Sequence, residues 1–135
     1  MMRWVKFGIA VVALISLSAC NSGPESKDPQ AVIEAYEAAW NAKDLETVLG
    51  MYAENGVETN NVGVFVGREE IESVLKYALE KFSISCDEYS RSGTHVTYKC
   101  VNTYYNDGVK KGELYEAVVR DGMIYATIKQ GDFTP

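Results

Sequence analysis

The hydrophobic period of this sequence changes at Phe82, and this change constrains the fold more than any other feature. Before Phe82, apolar residues recur at three- and four-residue spacing, which is typical of amphipathic helices. After it, apolar and polar residues alternate, and turn residues fall at 91–93, 106–108 and 121–122. The pattern predicts helices followed by four antiparallel strands in a meander. This is the α+β class, in which helices cover one face of a sheet.

Three helices are predicted in the first part of the chain. Asp28 and Pro29 are typical of a helix start, with an Asp N-cap and a Pro at the first helical position. A second short helix follows Asp44, and a third covers 68–81. Between the second and third helices, segments 56–60 and 62–66 are predicted to form a small hairpin. The inward stripe of helix one comprises Val32, Ile33, Tyr36, Ala39 and Trp40.

The alternation after Phe82 decides which strand residues share a face. Two-residue Asp-Gly turns in both later hairpins bring three sets of residues to one side of the sheet. The same register sets Glu116 opposite Lys99 on the outer face, where His95 is also expected as a surface residue. The three inward sets are Val96, Tyr98 and Cys100; Tyr115, Ala117 and Val119; and Ile124, Ala126 and Ile128.

The N-terminus has the order of a secretory signal. Arg3 and Lys6 precede an apolar run of 11 residues at 7–17, too short to span a bilayer. The run ends in Leu17-Ser18-Ala19-Cys20, which resembles the bacterial lipobox. The resemblance implies cleavage before Cys20 and attachment of a diacylglycerol and a further acyl chain, such as palmitate. The alternative is an ordinary secreted protein in which Cys20 lies near the cleavage site by chance.

We therefore expect a signal peptide over 1–19, a lipidated polar tether over 20–28 and one domain over 29–135. Several acyl chains would anchor the protein firmly to a membrane. The expected location is the bacterial cell envelope, and in a Gram-negative host the outer membrane facing the periplasm. Because 19 acidic residues outweigh 13 basic ones, nucleic acid is not an expected partner.

The number of cysteines, three in all, is consistent with export from the cytoplasm. If lipid consumes Cys20, an even pair remains, Cys86 and Cys100. A hairpin centred on Gly93 sets these two cysteines directly opposite each other, within disulfide range. The alternative is a pair of small buried thiols. With one His and no Cys-x-x-Cys, the sequence predicts neither a metal site nor a cofactor.

Three stretches resemble the SnoaL-like branch of the nuclear transport factor 2 (NTF2-like) superfamily. The first runs from Ala35 to Glu46 and contains Trp40-Asn41-Ala42-Lys43-Asp44; the second is Met51-Tyr52-Ala53-Glu54-Asn55; the third is Gly67-Arg68-Glu69-Glu70-Ile71. The resemblance extends over about residues 29–131. It implies a cystatin-like cone of three N-terminal helices on a curved antiparallel sheet, with a pocket at its open end. Such motifs mark a fold and not a reaction.

The resemblance extends in part to ketosteroid isomerase, an enzyme of this fold. Tyr36 matches the tyrosine of the isomerase oxyanion hole, where a phenol stabilises an enolate. Asn60 stands at the position of the catalytic aspartate, and a neutral amide cannot accept the proton. The second acid of the oxyanion hole falls near Tyr115 or Glu116. No catalytic residue is therefore assigned, and the expected pocket residues are Tyr36, Trp40, Asn60, Tyr98, Tyr115 and Ile128.

The leading expectation is a non-enzymatic domain that binds a small apolar or amphipathic ligand in this pocket, or a protein partner through the sheet. The alternative is a cofactor-independent isomerase or hydrolase that uses Tyr36 and Asn60 with a base not found in the sequence. The resemblance also allows a homodimer formed through the outer face of the sheet.

Overall fold

The computed structural model describes residues 27–135, which form three helices and one six-stranded sheet. The helices are α1 (Pro29–Asn41), α2 (Leu45–Met51) and α3 (Arg68–Lys81). The strands are β1 (Tyr52–Thr59), β2 (Val64–Val66), β3 (Phe82–Ser92), β4 (His95–Tyr104), β5 (Lys110–Arg120) and β6 (Met123–Phe133). The proposed signal peptide, Cys20 and most of the tether lie outside the described residues. Within 27–135, no helix is long and apolar enough to cross a membrane.

Local sequence signals account for the helix boundaries. Asp28 is the N-cap of α1 and Pro29 begins it, although the Asp28 side chain bonds Arg91 at 2.8 Å and not the helix backbone. Asp44 caps α2 conventionally, because its carboxylate accepts the backbone N–H of Thr47 at 3.2 Å. Gly67, at φ 86°, makes the turn that starts α3.

The strand order is β2-β1-β6-β5-β4-β3. The predicted meander from β3 to β6 is confirmed, with every neighbouring pair antiparallel. The hairpin of β1 and β2 joins the same sheet, because β1 pairs with β6 in parallel. The helices α1 and α3 cover one face of this sheet, and apolar side chains from both layers form one core. The expected α+β class is therefore confirmed.

The turn between β4 and β5 differs from the predicted one. Its loop spans residues 105–109 in place of a two-residue turn, and Tyr98 lies opposite Tyr115. Glu116 is consequently opposite Thr97, and the expected pairing of Glu116 with Lys99 is wrong. The error is a shift of two residues, so each side chain keeps its expected face because the strand period is also two.

A β-bulge changes the face of the last predicted residues. Val119 pairs with Ile124 and Val118 with Ala126, which leaves Tyr125 as an extra residue in β6. Thr127 then points inward and is only 2% exposed. Ala126 pairs with Val118 and Ile128 pairs with Glu116, both on the outer face, so the expected places of Ala126 and Ile128 among the inward residues are wrong.

Candidate functional site

A cavity of about 520 Å³ lies between the helices and the covered face of the sheet. This volume is in the range of small-molecule sites. Its walls are mostly apolar and aromatic, and its polar groups come chiefly from β1, β4, β5 and β6. The apolar lining residues include Ile33, Phe65, Leu75, Ala78, Phe82 and Ile84.

Glu58 is the most deeply buried acidic group of this cavity. It projects from β1 and is 6% exposed. Its carboxylate accepts hydrogen bonds from the Tyr52 hydroxyl at 2.7 Å, from the Thr127 hydroxyl and, at 3.4 Å, from the Asn60 amide. Burial raises the pKa of Glu58 above its ordinary value, while these hydrogen bonds act in the opposite direction.

Two tyrosines extend the hydrogen bonding from Glu58. The Tyr36 and Tyr52 hydroxyl oxygens lie 3.2 Å apart. A tyrosine hydroxyl has one proton, so when Tyr52 donates to Glu58, Tyr36 must donate to Tyr52. Burial, and next the charge of Glu58, raise the pKa of both tyrosines well above the usual value. Both phenols therefore stay protonated at neutral pH and act as neutral hydrogen-bond donors.

A second carboxylate, Glu113, also lines the cavity, but it has a cationic partner. Its Oε2 lies 3.2 Å from Lys129 Nζ and accepts the Tyr115 hydroxyl at 3.0 Å, and Asn102 donates to Oε1. Lys129 also reaches Asn61 Oδ1 at 2.6 Å. Lys129 is therefore shared between Glu113 and Asp132, whose Oδ1 lies 2.7 Å from Nζ, and it ties the loop between β1 and β2 to β6.

The structure brings five of the six expected pocket residues to the cavity: Tyr36, Trp40, Asn60, Tyr98 and Tyr115. Ile128 is not among the lining residues, and Thr127 takes its place because of the bulge at Tyr125. Trp40 is held by a bond from its indole N–H to the Phe82 carbonyl at 2.9 Å. Asn60 mainly shapes its loop, since its Oδ1 accepts the Val62 N–H at 2.8 Å.

Sequence reasoning missed both carboxylates, although a signal for each was present. Glu58 lies two residues before Asn60, and Glu113 lies two residues before Tyr115. Residues two apart in a strand share a face. Extending each expected pocket position by one strand period would therefore have placed both glutamates in the cavity.

The predicted disulfide is confirmed: Cys86 is bonded to Cys100, and the two residues are register partners in β3 and β4. Both cysteines line the cavity, so the disulfide forms part of its wall. A bulge between Asp87 and Ser90 brings the cysteines into register. Among residues 27–135, no group of three or more His, Cys, Asp and Glu side chains is arranged to hold a metal ion.

Comparison with known proteins supports a fold relationship. A family model described as a SnoaL-like domain matches residues 32–134. None of the curated proteins matches this chain. An NTF2-like protein of unknown function from Cytophaga hutchinsonii superposes with a TM-score of 0.67 at 13% identity, covering 76% of this chain and 88% of that one.

Two further solved structures have the same fold. A putative polyketide cyclase from Xanthomonas campestris pv. campestris has a TM-score of 0.61 and 21% identity, covering 75% of this chain and 87% of that one. A hypothetical protein from Catenulispora acidiphila with a ketosteroid isomerase-like fold, solved in complex with trimethylamine, has a TM-score of 0.66 and 18% identity, with 74% and 84% coverage. At such identities the likeness concerns the fold, here an NTF2/cystatin-like one.

Proposed function

The chain belongs to the SnoaL-like domain family, and from this premise we propose that its cavity binds a small, largely apolar molecule. The observation that carries the proposal is a cavity of about 520 Å³ with apolar walls and a small polar cluster around Glu58. Apolar walls supply the binding free energy, and a few convergent polar groups orient the ligand. Tyr36 and Asn60 belong to this polar cluster.

Binding of the neutral apolar dye Nile red tests this proposal, because its fluorescence rises in an apolar site. Ala78→Phe places a ring in the cavity that Ala78 lines and should abolish the signal. Ala126→Phe adds the same ring on the outer face of β6 and should preserve it. Equal dye binding by both variants, with circular dichroism showing both to be folded, would contradict binding in the cavity.

A second candidate function is cofactor-independent acid–base catalysis, as in an isomerase or hydrolase. It is favoured by Glu58, a cavity carboxylate that is not among the pocket residues expected from the sequence. Glu58 Oε2 accepts hydrogen bonds from two hydroxyls, whereas among residues 27–135 the only contact of Oε1 is the 3.4 Å one with Asn60, which leaves lone pairs for a substrate proton. A raised pKa suits a general base that works near neutral pH.

Hydrogen–deuterium exchange of the enolisable ketone 2-tetralone, followed by NMR in D₂O, tests this second candidate. A catalytic Glu58 should accelerate exchange, and Glu58→Gln should reduce the acceleration by on the order of 10² or more. Exchange at the uncatalysed rate with the wild-type domain would leave binding as the function. Two of the solved structures similar in fold are named putative polyketide cyclases, at 21% and 16% identity, and this likeness concerns the fold alone.

The proposed location is the bacterial cell envelope, with lipid on Cys20 as the anchor. The Cys86–Cys100 disulfide supports an oxidising compartment outside the cytoplasm. The outer face of the sheet, where Val118 and Ile128 are half-buried, is the proposed surface for a protein partner or a second copy of the chain.

A further inference from the structure

The two carboxylates of the cavity differ in how their charge is balanced. Glu113 contacts Lys129, whose side chain is 8% exposed, at 3.2 Å. None of the ion pairs formed within residues 27–135 involves Glu58. Every hydrogen-bond partner of the Glu58 carboxylate in this part of the chain is a neutral group: a phenol, an alcohol or an amide. As far as the described residues show, the cavity therefore has one deep acidic group without a counter-ion.

This imbalance has an energetic consequence. A buried carboxylate without a counter-ion is destabilising, because hydrogen bonds from neutral donors offset only part of the lost hydration. Glu113 lines the same cavity, and its charge is a further, smaller cause that raises the pKa of Glu58. A cation that enters the cavity would remove this cost, whereas an anion would increase it.

The aromatic walls next to Glu58 also favour a cation. The rings of Tyr36 and Trp40, which both line the cavity, lie 5.9 Å apart, centroid to centroid. On the sheet side, Tyr98 and Tyr115 stack at 5.8 Å. Aromatic faces attract ammonium groups, most strongly where water is excluded. Lys81, which also lines the cavity, is exposed and therefore remains hydrated.

We propose that the ligand of this cavity carries a cationic amine, which pairs with Glu58 while its apolar part fills the aromatic and aliphatic walls. This inference rests on the proposed binding function and names the chemical class of its ligand. The Glu58 Oε1 atom, which has only the long Asn60 contact, is the acceptor for the ammonium N–H. The hydroxyls of Tyr52 and Thr127 hold the other oxygen and orient the carboxylate.

Two probes of matched shape test the proposal by calorimetry: cyclohexylmethylamine, cationic at pH 7, and cyclohexylmethanol, which is neutral. The wild-type protein should bind the amine on the order of tenfold or more tightly, because a charge-assisted hydrogen bond replaces a neutral one. Glu58→Gln should abolish this preference and leave the affinity for the alcohol nearly unchanged. Glu116→Gln, which removes the same charge from the outer face, should preserve it.

Three results would overturn the proposal. The first is equal or tighter binding of the alcohol by the wild-type protein, a comparison that does not depend on how the variants fold. The second is an equal loss of amine affinity in Glu58→Gln and Glu116→Gln, which would indicate only the general acidity of the protein. The third is binding of Nile red but of neither probe. If Nile red does not bind either, the proposed binding function itself fails.

Discussion

Glu58 of β1 and Thr127 of β6 lie directly opposite each other in the parallel pair of the sheet, and the Thr127 hydroxyl donates a hydrogen bond to the Glu58 carboxylate. They are 69 residues apart in the sequence. The relationship joins the first hairpin to the last strand at the floor of the cavity. It also fixes the only acidic group there that has no cationic partner among the described residues.

The buried Glu58 predicts a specific pH dependence of stability. Its pKa is raised on folding by burial, so its contribution to stability is present below about pH 4.5 and is lost as the pH rises through the folded pKa. The Glu58→Gln variant cannot ionise at this position, so it does not lose this stability as the pH rises. The free energy of unfolding of the variant, relative to wild type, should therefore increase as the pH rises from 4.5 to 7.5.

Urea unfolding at several pH values measures this difference. Glu54→Gln is the control, since Glu54 lies on the same strand but is exposed. A difference between Glu58→Gln and wild type that does not change with pH would mean that Glu58 titrates in the folded protein as it does in the unfolded chain.

The disulfide should supply a large share of the stability. Cys86 and Cys100 are 14 residues apart in the sequence, and closing a loop of this length stabilises a fold by about 3 kcal/mol in the chain-entropy model. The double variant Cys86→Ala, Cys100→Ala should lose about this amount in urea unfolding. Wild-type protein kept in dithiothreitol should lose a similar amount, whereas an unchanged unfolding midpoint in reductant would contradict the prediction.

A substitution of Gly112 tests the pairing of the start of β5 with the end of β6, where Gly112 lies opposite Phe133. A Cβ at this position would lie 2.5 Å from the Phe133 carbonyl oxygen and 2.7 Å from its ring, so Gly112→Ala should cost about 1 to 3 kcal/mol. Gly50 is the matched control, because it lies in α2 with no atom within 4 Å of its Cβ position. Gly50→Ala should stabilise the protein by about 0.5 to 1 kcal/mol. Thermal unfolding of both variants gives the comparison, and shifts in the same direction would refute it.

The proposed lipid anchor is tested on the full-length precursor. Cys20→Ala should abolish membrane association and leave the signal peptide uncleaved, because the cysteine thiol is the site of lipid attachment. Ser18→Ala keeps a small residue in the same motif and should behave as wild type. Fractionation and intact-mass analysis decide the question, and recovery of Cys20→Ala in the membrane at the wild-type level would exclude lipidation.

The structural features that the sequence predicts correctly are those that depend on residues close together in the chain. The α3 helix over 68–81 and the turn at Asp121-Gly122 follow from short-range periodicity and turn chemistry. The cysteine pair was predicted from parity around Gly93, but the bulge near Glu88, a residue at φ 52°, supplies the register that joins them. Glu58 is not among the expected pocket residues, because its burial depends on the pairing of β1 with Thr127 of β6, 69 residues away.

The sequence by itself determined the helices and the antiparallel meander, because each depends on residues close together in the chain. Only the tertiary structure decided that β1 pairs with β6, since two parallel strands are not joined by a short turn that could be predicted from the sequence. Only the tertiary structure decided that Thr127, and not Ile128, faces the cavity, because the bulge at Tyr125 shifts the strand by one residue. The polar cluster around Glu58 depends on both the pairing of β1 with β6 and the bulge, since it forms where these two strands meet.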